Sequence, residues 1–217
     1  MSERFPFVQS SFARDDMNAF AFITTFTIVG TVLVLIFVVM RGNAVAEELG
    51  KRLAAIPDFE PNVSHVTSMC KNAIAIDVQR QKVAIIEDIV RVKKFTTQPA
   101  IIEFHEIIAV EVVRDNASLT KFNRGSQLKG AAVGGILLGP AGMLLGGLSG
   151  SRREKTKVCR LSLKIYTTNI IDPVCEIFFM DIPAPGADMQ TANHLIRDMD
   201  QWYGRLRAII ERQKAEL

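Results

Sequence analysis

With 217 residues, 48% of them hydrophobic and 23% charged, the chain has room for one ordinary domain plus a membrane element. A formal charge of +3 is too small to imply a nucleic-acid partner. The cysteines Cys70, Cys159 and Cys175 are odd in number and lack CxxC spacing, which argues against a disulfide framework and a structural zinc site and fits a reducing compartment.

The stretch from Met17 to Met40 carries no charge between Asp16 and Arg41. As a helix it extends about 36 Å at about 1.5 Å per residue, enough to cross a hydrocarbon core of about 30 Å. A cleaved signal peptide is the rival reading, because Ala44-Val45-Ala46 has the small-x-small form of a cleavage site. The apolar run exceeds the roughly 7 to 15 residues of such a segment, Arg41 interrupts the approach, and Asp15 and Asp16 precede it. A retained anchor is therefore expected. Residues 44 to 55 suit a short helix, and Pro57 and Pro61 then mark a linker.

Beyond residue 70 the period changes. "NAIAIDV", "KVAIIED", "IVRVKKF" and "AIIEFHEIIAVEVVRD" read as β-rich runs. "VCRLSLKIYTT" alternates, with Cys159, Leu161, Leu163 and Ile165 on one face and Arg160, Ser162, Lys164 and Tyr166 on the other. "PVCEIFFMD" follows as its partner after a turn at Asn169 to Pro173. In the last segment Leu195, Met199, Trp202, Leu206 and Ile209 recur at helical spacing, predicting an amphipathic helix packed on the preceding sheet.

Between these parts lies "GAAVGGILLGPAGMLLGGLSG", residues 130 to 150, which holds eight of the fourteen glycines and no charge. GxxxG spacing occurs at Gly130/Gly134, Gly135/Gly139, Gly142/Gly146 and Gly146/Gly150, and such small residues let helix backbones touch. Gly139-Pro140 breaks the run into two arms, each about 15 Å long if helical, so neither spans a bilayer. A single crossing would put strands of one sheet on opposite sides of the membrane. A helical hairpin is expected instead, either entering lipid by one face or packed on protein.

Basic residues bracket this hairpin: Lys121, Arg124, Lys129, Arg152, Arg153, Lys155, Lys157 and Arg160, with Lys164 beyond. Glu154 is the one acid between Asn116 and Ile171. Each cation near an anionic surface contributes about 1 kcal/mol of attraction, and the positive-inside bias places this part on the cytoplasmic side. A solvated charged face is the plainer alternative, as is packing of the glycines within a soluble or oligomeric protein.

The short strands, the phrase "FHEIIAVEVV", the strand hairpin and the closing helix resemble the pleckstrin-homology-like (PH-like) domains of bacterial membrane-associated proteins, over roughly residues 70 to 215. Uncharacterised members of that group carry a glycine-zipper insertion ahead of the last strands, where residues 130 to 150 fall here. The resemblance implies an α+β architecture: a single N-terminal transmembrane helix, a PH-like antiparallel sheet or barrel with a Gly-rich helical hairpin insertion, and a C-terminal amphipathic helix. The domains expected are a tail at 1–16, the transmembrane helix at 17–40, a helix and linker at 41–67, and the PH-like domain at 68–217 with its hairpin at 128–151.

Chemistry is sparse by comparison. The glycine-rich loops lack the GKS or GKT ending of a P-loop, and His65, His105 and His194 are far apart without metal-ligand spacing. No catalytic residue, metal or cofactor is expected, and nucleic acid is not an expected partner. Two functions stand: a membrane-anchored, non-enzymatic binding module of the bacterial inner membrane that contacts membrane lipid or a protein partner, and a homo-oligomeric structural or pore-forming assembly packed through Gly130, Gly134, Gly135, Gly139, Gly142, Gly146 and Gly150.

Overall fold

The computed structural model describes residues 9–94, 98–123 and 157–215. The chain divides into two compact units, Met1–Ala44 and Val45–Leu217.

Helix α1, Gln9–Ala54, supplies the first unit and the first residues of the second. From Phe20 its large side chains are exposed on every side, Phe20, Phe26, Leu33 and Phe37 among them, so the helix is shaped for an apolar surrounding rather than for a protein core. The threonines in this stretch bond inward. Thr25, Thr27 and Thr31 each donate a hydroxyl hydrogen bond of 2.8 Å to the carbonyl four residues earlier, which satisfies a polar group that lipid would leave unpaired. The sequence divides this region into tail, spanning segment and a second short helix, whereas the structure draws one helix, because no proline or capping residue stops it before Pro57.

In the second unit, β1 (Val63–Thr67), β2 (Asn72–Asp77), β3 (Lys82–Ile86) and β4 (Ala100–Glu103) form one antiparallel sheet in that order. β1 lies within the stretch read as linker. Both faces of β2 and β3 are covered. Ile74, Ile76, Val83 and Ile85 face the main core, while Ala73, Ala75, Ala84 and Ile86 pack with Leu49, Leu53 and Phe59. The alanines let the last turns of α1 lie close to the sheet, and burial of both faces explains why β2 shows no polar alternation. Asp77, fully buried at the end of β2, accepts hydrogen bonds from the backbone of Glu60 and Arg80 and from the Arg80 guanidinium. Burial alone raises its carboxyl, but these donors outweigh that and hold it below the usual range.

The second sheet has the order β6-β5-β7-β8, also antiparallel, from β5 (Ile107–Arg114), β6 (Ala117–Asn123), β7 (Arg160–Thr167) and β8 (Val174–Asp181). Leu161, Leu163 and Ile165 are fully buried, as their alternation predicts. Helix α2 runs over Ile89–Val92 and helix α3 over Met189–Ala215. α3 packs on β5, β7 and β8. Its Met199, Trp202, Leu206 and Ile209 are buried in one cluster with both sheets, and Leu195 lies partly buried against it.

Two runs read as β structure differ. "IVRVKKF" begins as α2, because Asp88 accepts hydrogen bonds from the N–H groups of Val90 and Arg91 and Lys93 ends the turn at φ 56°. "AIIEFHEIIAVEVVRD" is two strands divided by a 3-10 turn at Phe104–Glu106. That break sends β4 to the first sheet and β5 to the second.

Candidate functional site: the base of the glycine-rich insertion

The insertion joins β6 to β7, and its described ends lie at opposite ends of β5. Asn123, at the end of β6, is paired with Ala109, whereas Leu161, near the start of β7, is paired with Arg114. Five residues of strand, about 17 Å, separate those partners. The connection thus crosses over between two strands that flank β5, leaving at one end of β5 and returning at the other.

Its return is tightly built. Val158 forms a β-bridge with Ala187, exchanging hydrogen bonds of 2.8 and 2.9 Å. The Cys159 carbonyl accepts from Ile182 N at 2.9 Å. Asp115 Oδ1 accepts from both Cys159 N and Arg160 N at 2.9 Å. Asp115 and Asn116 can present these groups because both adopt positive φ, 48° and 68°, in the two-residue turn between β5 and β6. Gly186 completes the contact at φ +79°, where a Cβ would meet Val158 O at 2.7 Å. Gly186→Ala is therefore expected to cost about 1–3 kcal/mol in stability, measured by urea unfolding, with increased proteolysis near residue 158 as the accompanying sign.

Arg160 follows at once. Its Nε donates to Asp181 Oδ1 at 3.0 Å and its Nη1 to Asn116 Oδ1 at 3.0 Å. Asp181 Oδ2 also accepts from Arg91 Nε at 2.7 Å. Burial raises the Asp181 carboxyl, but Arg91 and Arg160 more than reverse this and hold it below its ordinary value. A cavity of about 480 Å³ opens here, lined by Asp115, Asn116, Cys159, Arg160, Asp181, Ile182 and Pro183. Its ionic side chains bond within the fold, so it is a polar joint rather than a site with charge to spend on a reaction.

The sequence-selected residues therefore fall into different places. Lys157 is exposed just ahead of the bridge at Val158, Lys121 stands on β6 opposite Glu111, and Arg160 is engaged with Asp181 and Asn116. Arg124, Lys129, Arg152, Arg153 and Lys155 lie outside the described residues, as do Gly130, Gly134, Gly135, Gly139, Gly142, Gly146 and Gly150 and with them the hairpin at 128–151. Sequence reasoning did not find Asp115, Asp181 or Gly186, whose partners are distant in the chain. An Asp-Asn pair between two strands is the signal that points to the first.

Among the described residues no group of three His, Cys, Asp or Glu side chains is placed to hold a metal ion. Burial pushes the Cys70 thiol up to about 11 and the Cys175 thiol up to about 12, which suppresses their nucleophilicity.

Two curated proteins are similar to this chain over 119 residues at 26% identity. One is the "Immunity protein" of Bacillus phage SPbeta, with 51% of this chain and 57% of that protein covered. The other is the "SPbeta prophage-derived uncharacterized membrane protein YomJ" of Bacillus subtilis (strain 168), with 51% of each covered. The chain thus spans about half the length of these relatives. No solved structure matches it. The family model described as "Glycine zipper containing PH domain" matches residues 63–181, from the first residue of β1 to the last of β8. Among the described residues, eight strands in two antiparallel sheets and a closing helix agree with that match, as does the long connection between β6 and β7, and the chain belongs to the family of glycine-zipper-containing PH domains.

Proposed function

We propose that the chain is a membrane-anchored, non-enzymatic binding module whose PH-like domain works at the cytoplasmic face of the bacterial inner membrane, engaging anionic lipid through its basic, glycine-rich insertion. The observation that carries this reading is the apolar stretch of α1, whose large side chains are exposed from Phe20 to Met40. Nine residues further along the chain Leu49, and after it Leu53, already belong to the domain and are buried with the first sheet. A spanning helix therefore has no long linker before the domain, and membrane tethering raises the local concentration of lipid for weak basic contacts. The name of the relative from Bacillus subtilis, a membrane protein, supports the location. An immunity protein among the relatives supports a protein partner as the second ligand class.

The test uses residues 45–217, which form one compact unit. This fragment is expected to bind phosphatidylglycerol vesicles at low salt and to leave them as rising ionic strength shortens the Debye length below about 8 Å. Charge reversal at Arg152, Arg153, Lys155 and Lys157 together is expected to weaken binding at least about 100-fold, at about 1 kcal/mol for each cation lost. Equal co-sedimentation with neutral and anionic vesicles would remove lipid charge from the reading. The GxxxG spacings favour a second reading, a homo-oligomer, for which the mass of the full chain in mild detergent decides.

A further inference from the structure

Among the described residues outside α1, the most exposed large apolar side chains belong to Ile170 and Ile171, at 94% and 96% exposure. They sit side by side in the turn between β7 and β8. We propose that this turn is a membrane-dipping tip, a second lipid contact that inserts two isoleucine side chains at the bilayer interface; the inference rests on the membrane anchoring described above.

The turn is built to hold the pair outward. Thr167 N donates to Pro173 O at 2.8 Å across its base, and Asn169 Oδ1 accepts from Ile171 N at 2.9 Å and Asp172 N at 3.2 Å. Thr168 N is fixed to Glu106 O at 2.9 Å. Asp172, the acid of the tip, is paired with Lys94 Nζ at 2.7 Å, so the turn presents little net repulsion to an anionic surface. These bonds fix the N–H groups of Thr168, Ile171 and Asp172, so the turn holds its shape while the isoleucines protrude.

The shape also selects lipid over protein. The apolar surface is a convex pair of side chains flanked by Thr168, Asn169 and Asp172, far smaller than the roughly 800 Å² per partner of a stable protein interface. A bilayer needs no complementary groove, and each isoleucine partitions into it independently. Position agrees with this. Thr167 is paired with Ile107 and Asn123 with Ala109, so the tip and the departure of the basic, glycine-rich insertion share one end of the second sheet.

The experiment uses the full chain with Cys159→Ser, since Cys70 and Cys175 are buried, reconstituted into phosphatidylethanolamine and phosphatidylglycerol vesicles. A nitroxide is placed by Ile171→Cys or, as a control at the opposite end of β5, by Ser118→Cys. Collision with oxygen, which concentrates in lipid, and with a water-soluble nickel chelate is then measured. The expected result is an oxygen-to-nickel ratio several-fold higher at residue 171 than at residue 118. Equal nickel access at both positions overturns the proposal, and so does a label at 171 closed to both reagents, which marks a protein contact. Flotation of the vesicles keeps the premises apart: a chain that does not float with lipid overturns the anchoring and the tip together, whereas a floating chain with a water-facing label at 171 overturns the tip alone.

Discussion

Removal of residues 1–44 is expected to let a high-salt wash transfer the protein completely from the membrane pellet to the soluble fraction, with its domain still folded. The full chain, by contrast, is expected to stay with the membrane through high salt and alkaline washing. Salt screens charges over a Debye length of about 8 Å at physiological ionic strength, but it does not reverse burial of about twenty apolar residues, several of which contribute about 0.3 to 0.6 kcal/mol each to insertion. The shortened chain keeps what the domain needs, because Val45, Leu49 and Leu53, which pack on the outer face of the first sheet, all follow the cut. Fractionation followed by N-terminal sequencing distinguishes the alternatives. A full-length preparation released by alkaline washing removes the anchor from the account, and recovery of a soluble chain beginning at Glu47 identifies a cleaved signal peptide instead.

What a sequence shows depends on how local the cause is. The stripe from Leu195 to Ile209 was legible because one helix face meets one core, and β7 was legible because one of its faces is buried while the other is largely polar. β2 was found but its environment was not: Ala73 and Ala75 are buried in a cluster with Leu49 and Leu53 of α1, twenty or more residues away in the chain. The β-branched composition of "IVRV" pointed to a strand, and the cap from Asp88 with the left-handed Lys93 overrode it. β6, "ASLTKFN", offered no apolar alternation because it is an edge strand with a polar sequence.

Arg160 shows the same limit at the candidate site. In the sequence it belongs to a basic cluster facing one acid, Glu154. In the fold its guanidinium is shared between Asp181 and Asn116, 21 and 44 residues away. A count of neighbouring charges registers the cluster but not which member the fold has already neutralised. Lys157, exposed three residues earlier, has the stronger claim on an external anion.

Trp202→Ala is expected to destabilise the domain by about 3–5 kcal/mol, a large share of the stability of a domain this size. Trp202 is 2% exposed in α3, inside the core cluster shared by both sheets. Its removal leaves a cavity that strands held in two hydrogen-bonded sheets cannot collapse to fill. Trp202→Phe keeps an aromatic in place and is expected to cost less than half as much. The substitution also reaches His65 on β1, whose ring stacks on Phe179 with centroids 5.0 Å apart and lies 6.4 Å from Trp202. Burial holds the His65 pKa below its ordinary 6.5, with Arg205 acting in the same direction and Asp198 opposing. Above that ordinary value the ring is neutral in both folded and unfolded chains and pH has no effect through it. As pH falls below 6.5 the unfolded chain takes up the proton first, so stability declines until the folded ring is protonated too. Opening the ring to water in Trp202→Ala moves its pKa toward the ordinary value and flattens this decline, and His65→Phe abolishes it. Urea unfolding of residues 45–217 at a series of pH values between 5 and 8 checks both effects: a stability loss below 1 kcal/mol in Trp202→Ala, or an unchanged acid slope in His65→Phe, would show that α3 is not seated on the sheets through this aromatic contact.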